Sequence, residues 1–404
     1  MLKIGEAEAR AAARVIGRGQ LWRYRSAESE CAKFERELAA KMGMEHALAV
    51  TSGTAALICS LAGLKIGPGD EVIVPGYTFM ATALAPLALG AIPVIAEIDE
   101  SLTLDPADVE AKITPRTKVI IPVHMMGLPA KMDAIMRVAR RRGVEVLEDA
   151  CQADGGCYRG RRLGTFGRVG AYSFNYFKNI TCGEGGGLVT NDREVYERAL
   201  VHHDGGTLFW RDRGEISAPP FAGWNFRMNE ILGAVLRVQL RRLDGLLRRT
   251  RTHKKRLVEQ LSKDSRLRFI EYNDLDGDCG TTLGLLFESE QEARAFIARL
   301  DALRVWAVTP IDSGRHVYSN WEPIMEKRGS YHPALDAFRR AENRDCKMDY
   351  APDMCPRTLD LLARTVFIGI RPEWRAGEVR ALIRCCREAA GAVSGARPDR
   401  GRIR

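Results

Sequence analysis

The chain has little of what cross-linked or metal-stabilised folds need. Its 404 residues include ten cysteines, but none of these forms a Cys-x-x-Cys pair, and the seven histidines do not cluster with them. Zinc sites depend on such clusters, so we expect no metal. A chain of this length buries a large core without cross-links. We therefore favour reduced, mostly buried thiols over disulfides.

Long hydrophobic runs are also missing. The longest candidate, residues 80–98, is interrupted by Pro86, Gly90 and Pro93 and contains Glu97. A membrane-spanning helix needs about 20 predominantly apolar residues in a row. Residues 1–6 lack the apolar core of a signal peptide. We predict a cytoplasmic protein with no membrane partner.

Acidic residues are fewer than basic ones, 52 against 61, which gives a formal net charge of +9. Three interpretations of this charge are open. The charge reflects an ordinary solvated surface encoded by a genome rich in G and C, or it attracts acidic substrates and an anionic cofactor, or it binds nucleic acid. No recognition motif accompanies the charge, so we expect no nucleic-acid partner. The hydrophobic fraction of 46% excludes a disordered or fibrous chain.

Strand-like and helix-like segments alternate through the first half of the chain. Apolar strand-like runs cover residues 48–51, 71–75, 92–98, 119–123, 144–148, 171–174 and 187–190. Helical segments lie between several of them, and one begins at Asp105-Pro106 with an acidic cap and a proline in the first turn. Continuous apolar strands separated by helices predict an α/β fold with a mainly parallel sheet covered on both faces. In such sheets, ligands bind outside the carboxyl ends of the strands.

The domain pattern follows from the longer segments. Residues 1–45 read as an N-terminal helical arm, with apolar Cys31, Phe34, Leu38 and Met42 at helical spacing. Residues 46–260 form the large domain and end in a long helix from about 229 to 259. Residues 261–394 form a smaller C-terminal α/β domain, and residues 395–404 are a basic tail. The long loop at residues 205–223 suggests a functional role or contact with a partner.

Three features of the large domain carry chemistry. Lys178 precedes a glycine-rich stretch, Asp149 ends an apolar strand, and Ser52-Gly53-Thr54 opens a helix. An amine, an acid at a strand end and a helix start suited to an anion are together what pyridoxal phosphate requires. We therefore predict this cofactor. The alternatives for the single residues are a surface lysine, a helix-capping acid and an ordinary helix start.

Several segments in the right order resemble the DegT/DnrJ/EryC1/StrS family of pyridoxal-phosphate-dependent sugar aminotransferases. The resemblance is strong over residues 20–260 and looser beyond. It implies a fold-type I aminotransferase with a large, mainly parallel seven-stranded sheet domain with helices on both faces, plus a smaller C-terminal α/β domain. The segments that carry it are residues 51–57, 71–79, 148–153, 173–179, 183–186 and 225–228.

The resemblance also implies roles for single residues. Lys178 matches the lysine that holds the cofactor as an imine and then moves a proton, and Asp149 matches the partner of the pyridine nitrogen. Family members with dehydratase activity carry His at the lysine position, so Lys178 favours transamination. The remaining cofactor contacts would be Gly53, Thr54 and Ser173 at the phosphate, Phe79 against the ring and Gln152 near its phenolic oxygen.

Further positions concern the substrate and a second subunit. Asn225 matches an asparagine that reaches the cofactor phosphate of the neighbouring subunit, which implies a homodimer with shared active sites. Arg227 is a candidate for the carboxylate of the amino donor, with a structural salt bridge as the alternative. We expect the acceptor pocket to include Glu184, the loop residues Trp210, Arg211 and Arg213, and His316 with Tyr318 and Trp321 in the small domain.

The predicted function is transfer of an amino group from glutamate or glutamine to a keto-sugar, keto-cyclitol or related ketone. Residues 22–25, 124–127 and 363–366 most resemble 8-amino-3,8-dideoxy-octulosonate aminotransferases, which implies an acidic acceptor, but residues 312–316 depart from that pattern. An antibiotic or other secondary-metabolite pathway fits equally well. Two alternatives stay open: another pyridoxal-phosphate reaction (dehydratase, decarboxylase or cyclase) on the same fold, and a non-catalytic regulatory homologue.

Overall fold

The computed structural model describes residues 4–23, 27–206 and 216–395. The helices are α1 (Glu6–Gly17), α2 (Glu30–Met42), α3 (Gly53–Gly63), α4 (Ala81–Ala88), α5 (Pro106–Lys112), α6 (Met132–Arg142), α7 (Arg193–His203), α8 (Glu230–Leu261), α9 (Glu290–Ala302), α10 (Glu322–Met325), α11 (Pro356–Arg364) and α12 (Ala376–Gly395). The strands are β1 (His46–Val50), β2 (Glu71–Pro75), β3 (Ile92–Ala96), β4 (Thr117–Ile120), β5 (Glu145–Asp149), β6 (Cys157–Tyr158), β7 (Arg161–Arg162), β8 (Val169–Ser173), β9 (Gly186–Thr190), β10 (Arg268–Phe269), β11 (Thr282–Leu286), β12 (Ala307–Val308) and β13 (Thr365–Gly369).

The large sheet has seven strands in the order β1-β9-β8-β5-β4-β2-β3. The β2, β3, β4, β5 and β8 strands pair in parallel, and β9 runs antiparallel to both of its neighbours, β1 and β8. Each of the seven strand-like runs in the sequence corresponds to one of these strands. The predicted seven-stranded, mainly parallel sheet is therefore confirmed.

The strands are apolar throughout because helices cover both faces of the sheet. Along β2, Val72 and Val74 pack into the cluster that contains α3, α4 and α7, whereas Ile73 packs into the cluster with α2, α5, α6 and the first part of α8. All three side chains are fully buried. A strand that alternates between two buried faces needs apolar residues at every position, which is the pattern the sequence shows.

The predicted helix start at Asp105-Pro106 is confirmed. Asp105 caps α5 by accepting a hydrogen bond from the N–H of Ala107, with Pro106 in the first turn. The α6 helix ends at Gly143, whose φ of 65° is left-handed. The apolar stripe of the N-terminal arm lies on α2 and is buried against α8.

A second, smaller sheet lies in the C-terminal part of the chain, as predicted. Its four strands have the order β10-β11-β13-β12 and pair antiparallel. The end of α8, together with α9 and α12, covers this sheet and forms a separate apolar cluster. The intervening segment from Val317 to Leu362 folds back instead onto the core of the large sheet, where Trp321 and Leu362 are fully buried.

Among the described residues, no helix combines the length and hydropathy that crossing a membrane requires. The ten cysteines are free thiols. The basic tail begins at the last residue of α12, and residues 396–404 lie outside the described part of the chain.

Candidate active site

A cavity of about 860 Å³ opens at the carboxyl edge of the large sheet. Its lining includes residues at or just beyond the ends of β1, β2, β4, β5 and β8, as expected for a ligand site in a parallel sheet. We call the part formed by Ser52–Thr54, Asp149, Ser173 and Lys178 the cofactor end. We call the part formed by Thr281, Thr282, His316, Gly369 and Ile370 the C-terminal wall.

Asp149, the last residue of β5, is only 4% exposed. Its Oδ2 accepts a hydrogen bond of 2.8 Å from the Thr82 hydroxyl, and its Oδ1 accepts one of 3.1 Å from the N–H of Cys151. No Lys, Arg or His among the described residues forms an ion pair with it. A buried carboxylate held by two neutral donors at the wall of a cavity is suited to a cationic group of a ligand.

The preceding residue, Glu148, holds the end of β5 that carries Asp149. Glu148 is fully buried and accepts hydrogen bonds of 2.8 Å from the N–H groups of Gly164 and Gly167. It also accepts one of 3.0 Å from Nε2 of His124, whose Nδ1 accepts from the N–H of Ala130 at 3.1 Å. The side chains of consecutive residues in a strand point to opposite faces of the sheet. Glu148 therefore anchors the strand, whereas Asp149 lines the cavity. This anchor was not predicted from the sequence.

The start of α3 forms an anion site. Ser52 caps the helix by accepting from the N–H of Ala55 at 3.0 Å. The N–H groups of Gly53 and Thr54 have no hydrogen-bond partner among the described residues, and a helix start favours negative charge.

The turn into α3 packs closely on the ends of β8 and β9. A Cβ on Gly53 would lie 2.8 Å from the Cβ of Ser173, and one on Gly186 would lie 2.1 Å from the carbonyl oxygen of Ser52. Glycine at both positions allows this approach. It brings the Ser173 hydroxyl next to the N–H groups at the start of the helix.

Lys178 lies in a turn after β8 and lines the same cavity. Its N–H donates to the carbonyl oxygen of Asn175 at 3.0 Å. Asn175 in turn donates from Nδ2 to Glu184 at 2.9 Å, so Glu184 supports the turn and also lines the cavity. The ammonium of Lys178 has no hydrogen bond or ion pair with any described residue. A free amine in a partly enclosed cavity is available for covalent chemistry.

Three more of the predicted residues line the cavity. Phe79 is 42% exposed, and its ring centroid lies 5.5 Å from that of His316, at an interplanar angle of 55°. Gln152 accepts the N–H of Met126 with its Oε1 at 3.1 Å, which leaves its amide nitrogen for a ligand. His316 donates from Nδ1 to the carbonyl oxygen of Ser313 at 3.1 Å, and burial lowers its pKa. The ring is therefore neutral at pH 7 and its Nε2 is an acceptor.

Other predicted residues lie elsewhere. Asn225 is exposed and is not in the cavity lining. Arg227 forms an ion pair of 2.6 Å with Asp204, so the salt bridge considered as its alternative role is present. Trp210, Arg211 and Arg213 lie outside the described residues.

The expectation that Tyr318 and Trp321 close the pocket is wrong. Both are fully buried in the core, where they donate hydrogen bonds to the carbonyl oxygens of Pro352 and Arg315, at 2.8 and 2.9 Å respectively. Short 3-10 turns carry this segment, and their side-chain directions follow neither strand nor helix periodicity.

Two curated relatives match a little more than half of this chain. It is 44% identical to the 3-amino-5-hydroxybenzoate synthase of Amycolatopsis mediterranei (strain S699) over 243 residues, which are 59% of this chain and 61% of that protein. It is 47% identical to the dTDP-3-amino-3,4,6-trideoxy-alpha-D-glucose transaminase of Streptomyces venezuelae over 214 residues, which are 52% of this chain and 55% of the relative. The matches thus span less than two thirds of these curated relatives.

The structural match is more extensive than the sequence matches. The crystal structure of 3-amino-5-hydroxybenzoic acid synthase superposes with a TM-score of 0.79 at 32% identity and covers 96% of this chain and 97% of that chain. The profile of the DegT/DnrJ/EryC1/StrS aminotransferase family matches residues 3–306. With this match and the arrangement of Lys178, Asp149 and the α3 start at one cavity, the chain belongs to the DegT/DnrJ/EryC1/StrS aminotransferase family.

Proposed function

We propose that this protein is a pyridoxal-phosphate-dependent aminotransferase. It moves an amino group from glutamate or glutamine to the ketone of a sugar, a cyclitol or a related compound, in sugar or antibiotic biosynthesis. One observation carries the proposal: the amine of Lys178 and the buried carboxylate of Asp149, neither of which has an ion-pair partner among the described residues, line one cavity. The sequence similarity to a transaminase of a nucleotide-linked sugar supports the reaction class.

The residues at the cofactor end fit pyridoxal phosphate. The N–H groups of Gly53 and Thr54 and the hydroxyl of Ser173 would hold the phosphate, Phe79 and Gln152 would contact the ring, and Lys178 would bind covalently. When bound, this cofactor supplies an aldehyde that carries the amino group and a ring that delocalises the electron pair left at the substrate carbon.

Asp149 has an electrostatic task in this proposal. Its carboxylate would keep a proton on the ring nitrogen, because an anion at hydrogen-bond distance favours the charged form of its partner. The Thr82 hydroxyl and the N–H of Cys151 fix both carboxylate oxygens, so the side chain need not reorganise when charge develops.

Lys178 has two tasks that follow each other. Its amine first holds the cofactor and, once released, accepts a proton at one carbon and returns it at another, as a general base and acid. Only the neutral amine can accept a proton.

We further propose a homodimer in which Asn225 completes the active site of the partner. Asn225 is exposed outside the cavity of its own chain, and its neighbour Trp224 is 66% exposed. Phe177, beside Lys178, is 80% exposed. Large exposed aromatic side chains next to a site are typical of a surface that a partner covers. Arg227 as the donor-carboxylate ligand, and Trp210 and Arg211 as acceptor ligands, remain predictions.

The experiment that tests the proposal is product analysis. The purified protein is incubated with pyridoxal phosphate, glutamate or glutamine, and a panel of keto-sugars and keto-cyclitols, and the 2-oxoacid and aminated product are quantified. We expect both products in equal amounts with at least one acceptor, and none with Lys178→Ala. Failure to form 2-oxoacid with every acceptor contradicts transamination and favours another reaction of this cofactor.

A further inference from the structure

Met126 has an unusual backbone conformation at the wall of the cavity. It lies in a short 3-10 turn, Met125–Gly127, and its φ of 55° and ψ of 23° are in the left-handed region, which residues with a side chain rarely adopt. Of the six non-glycine residues with positive φ in the described part of the chain, Met126 is the one that lines the cavity. Such strain costs free energy and is typical of functional sites. A position that favours glycine therefore carries a long apolar side chain here.

Two side chains that line the cavity hold the main chain of Met126. Gln152 accepts its N–H with Oε1 at 3.1 Å, and Thr281 donates its hydroxyl proton to its carbonyl oxygen at 3.3 Å. The next residue, Gly127, accepts the N–H of Cys279 with its carbonyl oxygen at 3.0 Å. A Cβ on Gly127 would lie 2.7 Å from the Cβ of Cys279, so the turn packs closely there. These contacts keep Met126 in place between Gln152 and the C-terminal wall.

The cavity lining that adjoins this turn is largely apolar. Ile370 donates its N–H to the carbonyl oxygen of Thr281 at 2.7 Å, and both residues belong to the C-terminal wall. Leu246 and Leu247, on α8, line the same cavity. Their side chains are otherwise buried. A ligand group that lies against Met126 therefore meets mainly carbon atoms.

The threonine hydroxyl groups of this region already donate their protons within the protein. That of Thr281 donates to Met126, as described above. That of Thr250, which follows the two leucines on α8 and also lines the cavity, donates to the carbonyl oxygen of Cys279 at 2.6 Å. A hydroxyl group has a single proton, so neither of these two has one left for a ligand. Apolar contact is thus the main interaction available beside Met126.

We propose that Met126 is a specificity-determining residue for the acceptor, and that it selects a ring whose edge at this position carries no hydroxyl group. This proposal rests on the aminotransferase function proposed above. The substrate class is a deoxygenated or unsaturated cyclic ketone. The thioether side chain of methionine is apolar and adapts its shape to such an edge. A hydroxyl group placed there would lose its hydrogen bonds to water without replacing them.

The expected selectivity is moderate. A hydrophobic pocket rejects a ligand that carries an additional hydroxyl group by about a hundredfold at most. We therefore expect a preference of about tenfold to a hundredfold for the ligand that lacks the hydroxyl group. A glutamine at position 126 can donate and accept hydrogen bonds, so it should favour the hydroxylated ligand, whereas leucine should not.

The test uses ketones that differ by one hydroxyl group. The probes are a six-membered keto-cyclitol with five hydroxyl groups, a ketohexopyranose, and the monodeoxy analogues of each. Calorimetry measures their binding to protein that holds pyridoxal phosphate, and kcat/KM is measured in parallel with glutamate or glutamine as donor. Wild type is compared with Met126→Gln, Met126→Leu and the matched control Met136→Gln. Met136 is a half-buried methionine on α6 that does not line the cavity.

In wild type, at least one monodeoxy analogue should bind and react at least about tenfold better than its parent ketone. Met126→Gln should reduce this preference at least about threefold, because its amide can hydrogen-bond the hydroxyl group. Met126→Leu should keep the preference, and Met136→Gln should behave as wild type. The proposal is overturned if wild type binds none of the probes, if it shows no such preference, or if Met126→Gln shows the same preference.

Failure of this proposal can be told apart from failure of the proposed function. If the ketones bind with the expected preference but no 2-oxoacid forms, the aminotransferase function fails, whereas selection by Met126 is supported. If amino transfer proceeds and Met126→Gln keeps the preference of wild type, only the role of Met126 is refuted. If Met126→Gln does not fold, Met126→Asn provides a polar side chain on a residue that adopts the left-handed backbone more readily, and the same loss of preference is expected.

Discussion

The cofactor end and the C-terminal wall of the cavity are built in different ways. At the cofactor end, the Thr82 hydroxyl and the N–H of Cys151 hold both carboxylate oxygens of Asp149, and Gly53 packs closely on Ser173. The C-terminal wall draws on three separate segments, and His316 is its single imidazole. The sheet therefore positions the residues of the proposed chemistry, and we expect the segments distant in sequence to select the acceptor.

This difference makes the two regions separable by mutation. Changes at the cofactor end should affect every acceptor equally, because each half-reaction uses the same cofactor. Changes at the C-terminal wall should affect the acceptor half-reaction and leave the donor half-reaction intact. A variant that breaks this rule would show that the two ends are coupled.

The largest effect is expected at Lys178. Lys178→Ala removes both the covalent attachment and the general base, so turnover should fall by at least about a thousandfold with every acceptor. Borohydride should label wild type at this residue and leave the variant unlabelled. The circular dichroism spectrum should not change, and Lys118→Ala, at an exposed surface lysine, serves as the control. Retained turnover would remove the basis of the assignment.

The next effect is expected at Asp149, with its neighbour Glu148 as a control. Asp149→Asn keeps a hydrogen-bonding side chain but removes the charge, so turnover should fall by about a hundredfold with little change in stability. Glu148→Gln should instead lower stability and retain turnover. It places an amide against several N–H donors and should lower the free energy of unfolding by about 1–3 kcal/mol, with turnover of the folded protein retained. Equal activity losses in the two variants would contradict the division of roles.

The cofactor end could be predicted from the sequence because its residues lie in short contiguous motifs. Lys178, Asp149 and Gly53 each occur next to a strand end or a helix start, and strand order then brings them together. The Thr82 hydroxyl and the bond between His124 and Glu148 could not be predicted, since each depends on which side chains meet across the fold.

The C-terminal wall was harder to predict. Only His316 was correctly placed at the cavity, whereas Tyr318 and Trp321, two and five positions later, are core residues. The segment from Val317 to Leu362 consists mostly of short turns before α11 begins, so its return to the core of the large sheet could not be predicted from the pattern. Thr281 and Ile370 line the cavity because β11 and β13 are neighbours, and this pairing depends on the tertiary structure.

A third effect tests whether the cofactor end includes the partner subunit. Asn225→Ala should weaken cofactor retention about tenfold, because one hydrogen bond to a phosphate is lost. Mixing the Lys178→Ala and Asn225→Ala proteins under conditions of subunit exchange sharpens the test. Half of the random dimers should be mixed and contain one complete site, so cofactor retention should recover to the wild-type level in about a quarter of all sites. No recovery would place Asn225 outside the partner's site.

The smallest effect is expected at His316. His316→Gln keeps a polar side chain but loses the acceptor nitrogen that faces the cavity, so the KM for the acceptor should rise about fivefold. The KM for the amino donor and the cofactor affinity should not change.

His316 should also affect the pH dependence of stability. Burial lowers the pKa of His316, so the imidazole is neutral in the folded protein and takes up a proton more readily in the unfolded chain. The free energy of unfolding should therefore decrease as the pH falls through the unfolded value near 6.5. In His316→Gln this decrease in thermal stability below that pH should be smaller. A change in cofactor affinity as large as the change in acceptor KM would instead show that the ring of Phe79, which His316 contacts, transmits changes at the C-terminal wall to the cofactor end.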